Sequence, residues 1–97
     1  MTSNFQNPNT ALLNRLKKSL AIKRKHGYSS EVSPGFVAED LQEIYQDVSG
    51  EIIIVTEAFR QRMWMKELNL RETEEAIRFV KIRIAKIKFE EAVQDEQ

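Results

Sequence analysis

Cysteine is absent from this 97-residue chain, and histidine occurs only once, at His26. Without cysteine the chain forms no disulfides and no thiolate metal sites, and it has no cysteine nucleophile. The single histidine has no ligand partner at helical spacing and no neighbours that would complete a Ser-His-Asp set. We therefore expect no metal, no cofactor and no small-molecule substrate, and a protein that is not an enzyme.

Long apolar runs are also missing. The longest one covers residues 52–55 and is far too short to span a bilayer. Residues 1–9 have neither a basic start nor an apolar centre, so they do not form a signal peptide. Their polar, non-periodic sequence predicts a disordered lead instead. We expect a soluble, cytoplasmic protein.

What the chain does contain is a strong separation of charge. Lys+Arg and Asp+Glu each total 15, yet every cation of the first thirty residues precedes the first acid, Glu31. The region after position 30 therefore holds nine basic and fifteen acidic residues. The six early cations are Arg15, Lys17, Lys18, Lys23, Arg24 and Lys25. Such asymmetry indicates an anionic partner or docking on an acidic surface.

Apolar spacing predicts helices along the whole chain. Residues 10–26 carry a narrow leucine stripe and end at Gly27, which favours a helix with a mostly cationic surface. Residues 34–68 start at Ser33-Pro34 and keep one helical period through Gly50 as far as Met63. Two helices meeting near Gly50 are the close alternative. A short strand at 52–56, where β-branched residues cluster, is the less favoured one.

The last predicted helix covers residues 70–93, after a cap formed by Asn69 and Glu72, and residues 94–97 form an acidic tail. The expected fold is all-α: a long helical hairpin, 34–68 against 70–93, with the basic N-terminal helix packed across it. This gives three to four helices in a single helical domain, 10–93.

Two features suggest binding partners: apolar residues that the predicted bundle leaves uncovered, and the basic helix. The last helix has a second apolar stripe, and a helix that is apolar on two sides is usually covered on both. Together with a tryptophan, a residue type enriched at interface hot spots, the predicted protein interface consists of Trp64, Phe79, Ile82, Phe89 and Val93. A second interpretation of Trp64 is that it closes the end of the bundle against the N-terminal helix.

The basic helix could bind nucleic acid, since cation clusters release counterions from phosphates. It could also bind an acidic protein surface, or it could be a solvated helix face with no partner. A membrane is disfavoured because the stripe contains only leucines. The leading hypothesis is a non-catalytic small helical assembly or adaptor subunit that binds like or unlike chains, with a homo-oligomer as one form. The alternative is a nucleic-acid-binding regulator or nucleoprotein-complex subunit that uses the basic helix.

Overall fold

The computed structural model describes residues 8–31 and 36–95. Within these ranges the chain forms two α-helices and a three-stranded antiparallel sheet with the order β1-β2-β3. In sequence the elements are α1 (Pro8–His26), a 3-10 turn (Ala38–Asp40), β1 (Leu41–Gln46), β2 (Ile52–Thr56), β3 (Arg60–Met63), a second 3-10 turn (Met65–Glu67) and α2 (Leu70–Asp95). The predicted all-α fold of three to four helices is therefore wrong, because the fold is α+β.

The sheet replaces the predicted central helix, and a bulge in β1 explains why the apolar pattern looked helical. The pairing of β1 with β2 shifts register between Leu41 and Glu43. The extra residue brings Leu41 and Ile44 to the same side, and both are buried although they lie three positions apart. A spacing of three between buried residues is also the mark of an amphipathic helix, so the bulge imitates it.

The turn between β1 and β2 breaks the helical period at Gly50, whose φ of +94° lies in the left-handed region. Its N–H donates to the carbonyl of Asp47 at 3.1 Å, and the Asp47 carboxylate accepts from the N–H of Ser49 at 2.9 Å. Val48, a member of the predicted stripe, is fully exposed in this turn. The strand at 52–56, the less favoured alternative, is the structure observed.

The two helices pack side by side and run antiparallel. Lys23 of α1 lies opposite Thr73 of α2, and Asn9 lies opposite Arg83. The basic helix is therefore the direct partner of α2, and it does not lie across a hairpin of two other helices. None of the helices in the described part of the chain is long and apolar enough to cross a membrane.

The ends of α1 follow from local sequence. The helix starts at Pro8, so Pro8 and Asn9 belong to α1 and not to a disordered lead, while residues 1–7 lie outside the described ranges. Gly27, with φ +69°, ends the helix as predicted, and the N–H of Tyr28 donates back to the carbonyl of Lys23 at 3.2 Å.

The start of α2 is the predicted capping box. The N–H of Glu72 donates to Asn69 Oδ1 at 2.8 Å, and the Asn69 N–H donates to Glu72 Oε1 at 2.9 Å. The helix continues two residues beyond the predicted end at 93, so residues 94 and 95 are helical. Residues 96–97 of the predicted tail, and the predicted helix start at Ser33-Pro34, lie outside the described residues.

One apolar core lies between the helix pair and the sheet. It is formed by Leu12, Leu13, Leu16, Leu20, Phe36, Leu41, Ile44, Ile52, Ile54, Leu68, Ala76, Ile77 and Val80. All four buried leucines of α1 point into it, so the narrow leucine stripe read from the sequence is the core face of this helix. The remaining surface of α1 faces outward with most of its cations.

Candidate protein-interaction surfaces

The C-terminal half of α2 carries an apolar stripe that no described part of the chain covers. Ile82, Phe89 and Val93 are 55%, 69% and 39% exposed. Their spacings of seven and four residues place them on one side of the helix. The opposite side holds the buried Val80 and the half-buried Ile84. This part of α2 is thus apolar on two sides, and the domain covers one of them.

The other two members of the predicted interface lie apart from this stripe. Phe79 is half-buried against the core, and the guanidinium of Arg83 lies 4.8 Å from its ring centroid. Trp64 follows β3 and is partly exposed, and its ring lies 3.6 Å from the position that a Cβ on Gly50 would take. The structure therefore brings together three of the five predicted residues.

Lys23 is the exception among the cations of α1, because its side chain is only 2% exposed. Its ammonium donates to the carbonyl of Met65 and to Thr73 Oγ1, both at 2.8 Å. Burial lowers the pKa of Lys23 to about 8, against the opposing effect of the nearby Glu72 carboxylate. Lys23 therefore does not belong to the exposed cationic surface of α1, and its contact with an anionic partner stays a prediction that this burial makes less favourable. Through these two hydrogen bonds the Lys23 ammonium connects α1 with the second 3-10 turn and with α2.

The other cations of α1 differ in how far they are engaged. Arg24 forms an exposed ion pair with Glu74 at 3.2 Å, and Arg15 donates to the side-chain carbonyl of Gln46. Among the described residues no acid pairs with the remaining three cations, Lys17, Lys18 and Lys25. Their contact with an anionic partner stays a prediction.

A shallow groove of about 350 Å³ lies between α1 and the second 3-10 turn. We call it the basic groove, and its lining residues are Arg15, Lys18, Ser19, Ile22, Lys23, Tyr28, Met65 and Lys66. Four of these eight are cations and none is an acid. Ile22 and Tyr28 are 56% and 41% exposed, so the groove offers apolar surface as well as charge. Sequence reasoning missed it because Met65 and Lys66 lie some forty residues from α1.

A larger cleft of about 520 Å³ lies where β1 begins and the β2–β3 turn closes, and its acids are Glu39, Asp40 and Glu57. None of these carboxylates forms part of a metal-binding group, since the described residues contain no set of three or more His, Cys, Asp and Glu that could hold an ion. An acidic rim alone specifies no ligand, so we assign this cleft no function.

Two carboxylates with shifted pKa values have structural roles. Burial alone would raise the pKa of Glu75, but the Ala38 N–H, which donates to it at 2.8 Å, helps to lower it below the ordinary value. The hydroxyl of Ser49, and secondarily Arg62, lower the pKa of Asp47 to about 2. Glu75 fastens the first 3-10 turn to α2, and Asp47 closes the β1–β2 turn, so neither indicates catalysis.

No protein-family model, no curated protein and no solved structure matches this chain.

Proposed function

We propose that this protein is a non-catalytic assembly or adaptor subunit that binds another protein chain, of its own kind or of another. The observation that carries the proposal is the exposed stripe of Ile82, Phe89 and Val93 on the side of α2 that faces away from the core. Large apolar side chains grouped on one face mark interaction sites more often than isolated ones do. The cytoplasmic location expected from the sequence is part of the same proposal.

The free energy gained by burying the stripe is large enough to support association. Burying one large apolar side chain contributes about 1.5–3 kcal/mol, and three lie in a row here. Part of that gain offsets the lost freedom of two molecules, so the stripe alone supports a moderate affinity. Further contacts would have to raise it.

The test is the mass of the particle in solution. Size-exclusion chromatography with light scattering at micromolar concentration should show at least a dimer, or a stable complex with an unlike chain after co-purification. Phe89→Glu should shift the self-assembled protein towards monomer, because it places a charge inside the contact. Val48→Glu is the matched control, since Val48 is fully exposed in the β1–β2 turn. A monodisperse monomer that forms no complex, or assembly indifferent to Phe89→Glu, would contradict the proposal.

Nucleic-acid binding through α1 gains less support. The prediction counted six available cations, whereas Lys23 is buried and Arg24 is paired with Glu74. The chain as a whole has no net charge to attract phosphate. This alternative stays a prediction for all six cations of α1, and Arg15, Lys17, Lys18 and Lys25, which are neither buried nor ion-paired in the described residues, support it best.

A further inference from the structure

The basic groove and the end of α2 have complementary chemistry. We infer that the groove receives the C-terminal segment of α2, residues 89–95, from a second copy of this chain. The inference rests on the proposed assembly function and specifies both the partner and the contact.

The groove selects for a segment that is both apolar and acidic. Its apolar lining residues are Ile22, Tyr28 and Met65, and its exposed cations are Arg15, Lys18 and Lys66, with no acid among the lining residues. Ile22, one helical turn after Lys18, is more than half exposed. A purely polar ligand would leave this apolar surface in water, and an uncharged ligand would leave the groove cations without an anionic partner.

The end of α2 has the required composition. Residues 89–95 read Phe-Glu-Glu-Ala-Val-Gln-Asp, with three acids, no cation and two large apolar residues. Phe89 and Val93 lie four positions apart and therefore share one side of the helix. Phe89 is the most exposed residue of the stripe. A groove of about 350 Å³ is large enough for a phenylalanine ring and part of a second side chain.

The segment has to come from another molecule. The groove lies beside Lys23, which contacts Thr73 near the start of α2. Phe89 is sixteen residues further along the same helix, or about 24 Å at 1.5 Å per residue. A continuous helix cannot return over that distance. Because a two-fold axis makes every contact reciprocal, two copies can each offer their segment to the groove of the other.

The experiment separates the two halves of the contact in the full-length protein. Ile22→Glu puts an acid into the groove but keeps the segment, and Phe89→Glu spoils the segment but keeps the groove. For each variant alone, the dissociation constant of self-association should be about tenfold higher than that of wild type, or more. An equimolar mixture should regain hetero-association, because it contains one intact groove and one intact segment. Light scattering and anisotropy of one labelled variant report the result, with Val48→Glu as the unaffected control.

Folding of each variant is checked by circular dichroism and urea midpoint, and Lys18→Glu replaces Ile22→Glu if the latter unfolds. Loss of assembly in Phe89→Glu without loss in the groove variant would overturn the inference and leave the proposed function standing. The same holds if the mixture stays as dissociated as its components. A wild type that is monomeric would also overturn the inference. So would binding of a labelled single-stranded oligonucleotide to wild type but not to the groove variant. In that last case the groove belongs to nucleic acid.

Discussion

The two ends of the helix pair are built differently. At one end, which we call the closed end, the Lys23 ammonium connects α1, the carbonyl of Met65 and the hydroxyl of Thr73. At the opposite end, the open end, α2 presents Phe89 and Val93 to solvent. The closed end brings polar groups inside and satisfies them, whereas the open end leaves apolar groups outside.

This difference separates what one chain completes from what it leaves to a partner. Every buried side-chain nitrogen and oxygen in the described residues has a hydrogen-bond partner, including the Lys23 ammonium. The buried polar groups of the closed end therefore need no second molecule to satisfy them. At the open end the exposed apolar surface is ordered into a stripe, and covering it lowers the free energy of an assembly. Folding thus relies on the buried polar contacts of the closed end, whereas association relies on exposed apolar side chains, those of the open end and those that line the basic groove.

The largest expected effect is at the closed end. Lys23→Ala removes the buried stem beyond Cβ and two charge-assisted hydrogen bonds, so we expect the free energy of unfolding to fall by about 3 kcal/mol. At the open end, Phe89→Ser should change the stability of the dissociated protein by less than about 0.5 kcal/mol, because surface substitutions rarely do more. Urea denaturation, at a protein concentration too low for self-association, measures both changes in the free energy of unfolding.

Two further variants show which part of Lys23 stabilises the fold. Lys23→Met keeps the stem and removes the charge, so it should cost only about 1 kcal/mol. Lys25→Met changes an exposed neighbour in the same turn and should have no measurable effect. If Lys23→Ala were as harmless as Lys25→Met, the contrast between the two ends would be wrong.

The sequence predicts the elements whose signals are local. The Asn69–Glu72 capping box, the stop at Gly27 and the leucine stripe of α1 each involve neighbours within one or two turns, and all three are present. The second stripe of α2 was also recognisable, since helical spacing alone places Ile82 and Phe89 opposite the core side. These features required no knowledge of the tertiary fold.

What the sequence did not reveal depends on contacts between distant residues. The bulge between Leu41 and Glu43 depends on the pairing of β1 with β2, and without that pairing its spacing is that of a helix. The acceptors of Lys23 lie 42 and 50 residues away, so nothing near Lys23 distinguishes it from Arg24 or Lys25. The basic groove is hidden for the same reason.

The second-largest effect on the free energy of unfolding is expected at Gly50 in the β1–β2 turn. This turn lies beside Trp64, the residue that directly precedes Met65 of the closed end. Gly50→Ala should destabilise the protein by about 1–2 kcal/mol, because a Cβ is disfavoured at the φ of +94°. The added methyl would meet Trp64 at an ordinary contact distance, so the backbone and not a clash causes the loss. A continuous helix through Gly50 would give the opposite sign. Denaturant midpoints of the two proteins decide between them.

The smallest effect is a pH dependence specific to the closed end. Burial lowers the folded-state pKa of Lys23 to about 8, whereas the unfolded chain keeps the ordinary value of 10.5. Between these values the unfolded state binds more protons, so the contribution of Lys23 to stability rises with pH and is smallest below pH 8.

The measurement is the difference in free energy of unfolding between wild type and Lys23→Met, because other lysines and the tyrosines cancel in it. From about pH 7 to about 8.5 this difference should move in favour of wild type, by less than about 1 kcal/mol. Lys25→Met, compared with wild type in the same way, should give a flat line. A flat line for Lys23→Met as well would mean that the three-way contact at the closed end keeps the ammonium as well solvated as a surface lysine.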